Sequence, residues 1–188
     1  LAPDLLAPRR LTSATLALWR KRITIAQEPH GVVAVISPWN YPFMLPAGVV
    51  VPALLAGNAV ILKPSELTPS CGALLAELLH AAGVPTDVLQ VLQGDGAVGA
   101  ALVQSDIDKV FFTGSVATGR KVGHACAERF IPCALELGGS DPAIVCDDAD
   151  VEHAASGITW GRFSNGGQTS VAPKRVYVAA TVYDRSVA

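Results

Sequence analysis

The sequence predicts an α/β fold, a doubly wound parallel sheet followed by the start of a second, smaller α/β region. Three observations predict it. Apolar runs of four or five residues recur between Val32 and Glu136. Each is followed by a segment with helix start or stop signals. The runs are apolar throughout rather than alternating, as strands buried on both faces must be. Strands joined by helices in this way form right-handed crossovers with helices on both sides of the sheet.

The first part of the chain is mixed. Leu11 to Trp19 reads as a short amphipathic helix, and Arg20 to Gln27, with Ile23 and Ile25 between charged residues, reads as an edge or arm strand. Regularity begins at Gly31. Val32-Val33-Ala34-Val35-Ile36 is the first buried strand, followed by a helix from about Pro46 to Ala56 that Gly57-Asn58 closes. Ala59-Val60-Ile61-Leu62 is the second strand. Thr68 as cap and Pro69 in the first helical position open a helix that stops at Gly83. Val88 to Leu92 is the third strand, and Gly96 to Gln104 a helix. Lys109 to Thr113 is the fourth strand, Val116 to Glu128 a helix, and Cys133 to Glu136 the fifth strand. Past Gly138-Gly139 the rhythm changes: strand Pro142 to Cys146, helix Asp150 to Trp160, a glycine loop, and strand Arg175 to Val178. Tyr183-Asp184-Arg185 reads as the opening of one more helix. The expected segments are an arm over 1–30, a sheet domain over 31–137 and the beginning of another domain over 138–188, only begun and poorly enclosed on its own.

Composition narrows the functional classes. Of 188 residues 51% are hydrophobic and 16% charged, which describes a globular chain with a large core. A net charge of -2 gives no electrostatic basis for nucleic acid or an anionic membrane as partner. The longest apolar run, Val49 to Ala56, holds Pro52 and is too short to span a bilayer. No signal peptide is visible. The four cysteines, Cys71, Cys126, Cys133 and Cys146, fit no zinc spacing and lie in apolar contexts, so they read as buried free thiols in a reducing cytoplasm. A start at Leu1 and a stop at Ala188 inside a helix signal read as a fragment.

Two glycine strings call for comment. Gly94-Asp95-Gly96-Ala97-Val98-Gly99 fits G-x-G-x-x-G between a strand and a helix, but after the third strand and with no acidic residue about twenty positions on. The usual dinucleotide assignment fails there. Gly114 to Gly119 with Arg120-Lys121 is no P-loop, because the lysine does not follow the second glycine directly. Phe112-Thr113-Gly114-Ser115 at a strand end, opening a helix, instead suits an anion such as a diphosphate.

Four stretches carry the chemistry: Ser37-Pro38-Trp39-Asn40-Tyr41-Pro42, Lys63-Pro64-Ser65-Glu66, Leu135-Glu136-Leu137-Gly138-Gly139, and Asn165-Gly166-Gly167-Gln168-Thr169-Ser170. In that order the set resembles the aldehyde dehydrogenase superfamily, from about Gly31 to the end of the chain. The resemblance implies a Rossmann-like NAD-binding domain and the opening of the catalytic domain. It also implies oxidation of a small-molecule aldehyde to a carboxylic acid through a covalent thiohemiacetal and thioester, in a longer parent that forms homo-oligomers, dimer or tetramer.

Residue by residue, the resemblance makes Asn40 the side-chain donor to the oxyanion and Glu136 the general base. It puts cofactor contacts at Ser37, Pro38, Trp39, Asn40, Lys63, Ser65, Glu66, Gly94, Gly114, Ser115, Leu137 and Gly138. Glu66 at a strand end can accept both ribose hydroxyls and disfavours a 2′-phosphate, which selects NAD over NADP. Glu136 lies in an apolar strand, where burial would raise its pKa to a useful value. Water activation by Glu136 argues against transfer of the acyl group to coenzyme A.

Ser170 departs from the pattern, because the family has a cysteine nucleophile there. A thiol has a pKa of about 8.5 and an alcohol one near that of water, about 15.7. That gap of roughly 7 units makes deprotonation about 10 kcal/mol harder, at about 1.36 kcal/mol per unit. None of His30, His80, His124 and His153 sits in a triad-like motif. Three explanations stand: an engineered replacement, a natural loss, or a slow hydroxyl nucleophile. A smaller departure is Ser140-Asp141, where many relatives begin with lysine. The chain reads as inactive or impaired, and the alternative to an enzyme is a catalytically silent nucleotide-binding or assembly module.

Overall fold

The computed structural model describes residues 2–12 and 21–187. The described residues fall into two compact units, one formed by residues up to Phe112 together with Lys121–Leu135, the other by Thr113–Arg120 and Glu136 onward.

The first unit begins with a short helix α1 (Ala2–Leu6) and two strands, β1 (Arg9–Leu11) and β2 (Ile23–Ile25), paired antiparallel. The expected arm strand is thus present. Leu11 ends β1 rather than opening a helix, and the remainder of the helix expected up to Trp19 lies outside the described residues. Then follow β3 (Val32–Ile36), α2 (Met44–Leu55), β4 (Ala59–Lys63), α3 (Pro69–Ala81), β5 (Leu89–Val91), α4 (Gly96–Gln104), β6 (Lys109–Gly114), α5 (Val116–Glu128) and β7 (Cys133–Leu137). The five strands make one sheet in the order β5-β4-β3-β6-β7. Registers such as Val33 opposite Val60 and Lys109 are parallel, and the order reverses between β3 and β6. A reversal of this kind opens a crevice at the carboxyl ends of the strands, where α/β sheets bind ligands.

Burial explains the apolar runs. Val33 and Val35 of β3, Val60 and Leu62 of β4 and Leu89 of β5 form one cluster with Val50 and Ala53 of α2 and Leu75 and Ala76 of α3. Each large member contributes about 2 kcal/mol. Ala34 faces the other way and is fully buried too.

Two polar side chains stitch the entry to this core. Buried Asn58 accepts from the backbone N–H groups of His30 (2.7 Å) and Gly31 (3.1 Å) and donates to the Ala53 carbonyl (2.8 Å). The Gly57-Asn58 stop therefore does more than end α2. Asp108 accepts from the Val32 amide at 2.7 Å, and the Asp108 amide donates to the Val32 carbonyl at 2.8 Å.

Two expectations are corrected here. Thr68 stands before α3 with Pro69 at its first position, but its hydroxyl makes no cap bond and is buried without a partner. At φ -138 and ψ 50 its backbone does not carry the oxygen onto the helix amides. Of the cysteines, all free, only Cys126 is buried; Cys71 is half-buried and Cys133 and Cys146 are exposed. Cys133 opens the sheet's edge strand and Cys146 follows β8 (Asp141–Val145), so neither apolar neighbourhood in sequence becomes an enclosing one in space.

The second unit continues through β8, α6 (Val151–Phe163), a 3-10 turn over Ser164–Gly167, β9 (Pro173–Val178), a further 3-10 turn and α7 (Tyr183–Val187). β8 and β9 pair in parallel as a separate two-stranded sheet. Asp150 caps α6 by accepting from the His153 amide at 3.1 Å. The core of this unit is small, built on Val145, Val151 and Val182. Ile144, Trp160, Phe163 and Tyr177 are all more than half exposed.

Replacing Asn58 with Ala should lower unfolding stability by about 3 kcal/mol, because two backbone donors and one carbonyl lose their buried partner. Urea denaturation checks this, with a lower midpoint and an unchanged slope expected.

Candidate active site

In the first unit the expected site residues sit at the carboxyl ends of their strands. Ser37 follows β3, and its amide donates to the Lys63 carbonyl at 3.1 Å. Its side chain is buried and the hydroxyl oxygen has no partner. A buried hydroxyl without a partner costs about 1–3 kcal/mol, so the position suits a bound polar ligand. Pro38 and Asn40 are half-buried, and Trp39 is 44% exposed.

Lys63 ends β4. Its side chain is only 5% exposed, and its ammonium stands 3.4 Å from the Glu66 carboxylate, which is itself 53% exposed. A hydrogen bond from its own backbone amide, and then the Lys63 charge, hold the Glu66 carboxyl below its ordinary pKa. The Glu66 charge is therefore kept throughout the neutral range. Ser65 is buried, and its hydroxyl accepts from the Leu67 amide at 3.3 Å, which shapes the turn between Lys63 and Glu66.

The glycine string after β5 has a physical explanation. Gly94 has φ +145, and a Cβ there would lie 2.4 Å from Val98 Cγ2. Beyond it, the Asp95 carboxylate accepts from the amides of Ala97 (2.9 Å) and Val98 (3.4 Å). The amides a diphosphate would use at the start of α4 are thus already bonded to a carboxylate.

The second unit holds the remaining expected residues. Gly114 ends β6. The Ser115 hydroxyl accepts from the Thr118 amide at 3.2 Å and donates to the Thr118 hydroxyl at 3.0 Å, so Ser115 caps α5. Leu137 packs against Gly119 of α5, where a Cβ would come within 2.4 Å of Leu137 Cδ2. Glu136 is exposed, as are Gly138 and Gly139. The apolar enclosure expected around Glu136 is absent: it alternates outward on a strand whose neighbours Leu135 and Leu137 turn the other way, half-buried.

The loop bearing Ser170 is built on left-handed backbone. Asn165 (φ 52), Gly166 (φ 64) and Gly167 (φ 76) follow one another. A Cβ on Gly167 would lie 2.6 Å from an Arg162 guanidinium nitrogen and 2.9 Å from the Arg162 carbonyl oxygen, so α6 leaves room only for glycine. Ser170 is exposed, while Ala172 just beyond it is fully buried and anchors the loop.

Within this unit the turn after Glu136 and the Ser170 loop lie together. The Cβ position of Gly139 is 3.6 Å from the Ser170 carbonyl oxygen. The Lys174 ammonium donates to the Gly139 carbonyl, and the Arg175 guanidinium donates to the Ser140 carbonyl at 2.5 Å. Sequence reasoning missed both ties. They join residues 35 positions apart through side chains of a strand, which no local pattern announces.

Within the first unit the residues present could hold the adenosine side of a dinucleotide: an unpartnered buried hydroxyl at Ser37 and a lysine–carboxylate pair at Lys63 and Glu66. A pocket of about 340 Å³ lined by Ile61, Val91, Leu92, Ala101 and Leu102, with Gln90 and Ser105, holds none of the expected residues. Gly167→Ala should lower thermal stability by about 2 kcal/mol, from the lost left-handed freedom and the clash with Arg162. Thermal melts of this variant beside the unsubstituted chain check it.

Among the described residues no helix is long and apolar enough to cross a membrane. The family model "Aldehyde dehydrogenase family" matches residues 5–188. The 4,4'-diapolycopene aldehyde oxidase of Methylomonas sp is 45% identical over 177 residues, covering 94% of this chain and 33% of its own length. The solved structure of a Mycobacterium tuberculosis aldehyde dehydrogenase complexed with NAD+ aligns with a TM-score of 0.91 and 37% identity, over 99% of this chain and 38% of its own. An E. coli NADP dependent enzyme aligns with a TM-score of 0.92 and 39% identity, over 99% of this chain and 38% of its own. The chain thus spans about a third of the length of the curated relatives it matches. On the match over residues 5–188, the chain belongs to the aldehyde dehydrogenase family.

Proposed function

We propose that the parent of this chain oxidises an aldehyde to a carboxylic acid with NAD as acceptor, and that Ser170 leaves this chain inactive or severely impaired. The observation that carries the reading lies inside the second unit: Gly139, three residues past Glu136, abuts the Ser170 carbonyl and is held there by Lys174. That adjacency supports a base and a nucleophile position serving one acyl centre.

The roles follow from chemistry. The side chain at 170 adds to the aldehyde carbonyl. Asn40 donates to the oxyanion that forms, and the prolines at 38 and 42 restrict the backbone that carries it. Bound NAD would accept hydride from the resulting adduct. Glu136 then removes a proton from water, whose oxygen attacks the acyl carbon and releases the acid.

For the cofactor, the contacts we propose are Ser37, Pro38, Trp39, Asn40, Lys63, Ser65 and Glu66 in the first unit, and Gly114, Ser115, Leu137 and Gly138 in the second. Gly94 contributes shape rather than an anion grip, since Asp95 already bonds the α4 amides. The ionised Glu66 supports NAD over NADP. The free thiols fit a reducing cytoplasm, and the parent assembles as a homo-oligomer.

Ser170→Cys in the full-length parent should raise aldehyde-dependent NADH formation by more than about a thousandfold. Adding Glu136→Gln should then stop steady turnover while leaving a burst of one NADH per site. No turnover with NAD binding retained would favour the silent nucleotide-binding or assembly module. Separately, Glu66→Gln should narrow the preference for NAD over NADP about tenfold, by removing one charge facing a 2′-phosphate. Titration with each dinucleotide reads this without any turnover.

A further inference from the structure

The turn that follows Glu136 has little of its own to hold it. Gly138 and Gly139 carry no side chains and both are exposed. A Cβ built on Gly138 would meet no atom within 4 Å, so no packing confines that residue. Two glycines in succession also cost more conformational entropy to order than any other pair. Yet Gly139 lies against the loop of Ser170, with its Cβ position 3.6 Å from the Ser170 carbonyl oxygen.

The restraint comes from β9. The register of β8 and β9 shifts between Asp141, opposite Pro173, and Pro142, opposite Arg175. Lys174 is therefore the extra residue of a bulge, with no opposite number in β8. Bulges re-aim the side chains they carry. Here the Lys174 ammonium donates to the Gly139 carbonyl, and the Arg175 guanidinium donates to the next carbonyl, that of Ser140. The Lys174 tie is the nearer of the two to Glu136. Lys174 also lies four residues beyond position 170, with buried Ala172 between them. One lysine thus straps the turn after Glu136 to the loop whose own path the glycines and Ala172 set.

We propose that Lys174 is a positioning residue for hydrolysis of the acyl intermediate: through the Gly139 carbonyl it sets the distance from Glu136 to the acyl group on position 170. The proposal rests on the roles given above to Glu136 and to position 170. Lys174 itself neither gives nor takes a proton in the reaction. Addition to the aldehyde and departure of hydride do not use Glu136, so neither depends on the strap. Attack of water does, because Glu136 must stand within hydrogen-bond reach of that water. A misplacement on the order of 1 Å in such a step costs up to about a hundredfold. Loss of the lysine should therefore separate two rates that a general loosening of the loop would lower together.

The test compares the full-length parent carrying Ser170→Cys with the same protein carrying Lys174→Met as well, using acetaldehyde, hexanal and benzaldehyde as probes. The first turnover, read as the burst of NADH on mixing, should keep its rate and an amplitude of one per site. The steady rate should fall about tenfold or more. Lys174→Arg, which keeps a charged donor, should recover at least part of it. Equal falls in burst and steady rates, an unchanged steady rate, or no recovery with arginine would each overturn the proposal and leave the aldehyde reading standing. No NADH from Ser170→Cys with any of the three probes would sink that reading, and this proposal with it. Should Lys174→Met fail to fold, Lys174→Gln, one atom shorter and uncharged, takes its place with the same outcomes.

Discussion

Burial of β3 and β4 on both faces is the constraint on which the rest depends. A strand covered on two sides can carry no polar side chain along its length, and its backbone groups must all be spent on neighbouring strands. Val33, Ala34, Val35, Val60 and Leu62 obey this almost completely. The polar chemistry is therefore pushed to where the strands end. Lys63 is the last residue of β4, Ser37, Glu66 and Gly94 lie just past a core strand, and Asn58 and Asp108 occupy the opposite ends and hold the entry amides. One packing rule thus separates residues that stabilise from residues that bind.

The second unit follows another logic. Its buried core is slight, and its order comes from specific ties: glycine-only backbone beside Arg162, the Asp150 cap, and two cations on the carbonyls of Gly139 and Ser140. Cations bonded to the turn after Glu136 fix that backbone without burying the carboxylate. Ser170 itself is exposed, and the glycines and buried Ala172 determine the path of its loop.

Much of the fold was legible in the sequence because punctuation and periodicity agreed. Gly96 to Gln104 and Val116 to Glu128 were read with the bounds the structure gives, since each opens at a glycine-bearing strand end and stops at a polar residue. α2 begins earlier than expected, at Met44, because no side chain caps Phe43 and the local signal is silent. Thr68 shows the limit of residue type: a threonine in the cap position caps only if its backbone angles carry the hydroxyl to the helix. Exposure was the least legible property. Cys133, Cys146 and Glu136 all sit among apolar residues in sequence, yet each is open, because enclosure depends on what packs across a strand rather than along it. The candidate site was legible as residue types in order; the cation ties and the Asp95 carboxylate over the α4 amides were not.

Among the described residues β8 and β9 pair only with each other, and Ile144, Val176 and Tyr177 stand out from the pair into solvent. The edge of such a pair is a template for a further strand from any source. The colloidal behaviour of this chain is accordingly governed by its smaller half: concentrating it favours edge-to-edge stacking, and the charged flank at Lys174 and Arg175 is the main local brake, already engaged on carbonyls of its own chain.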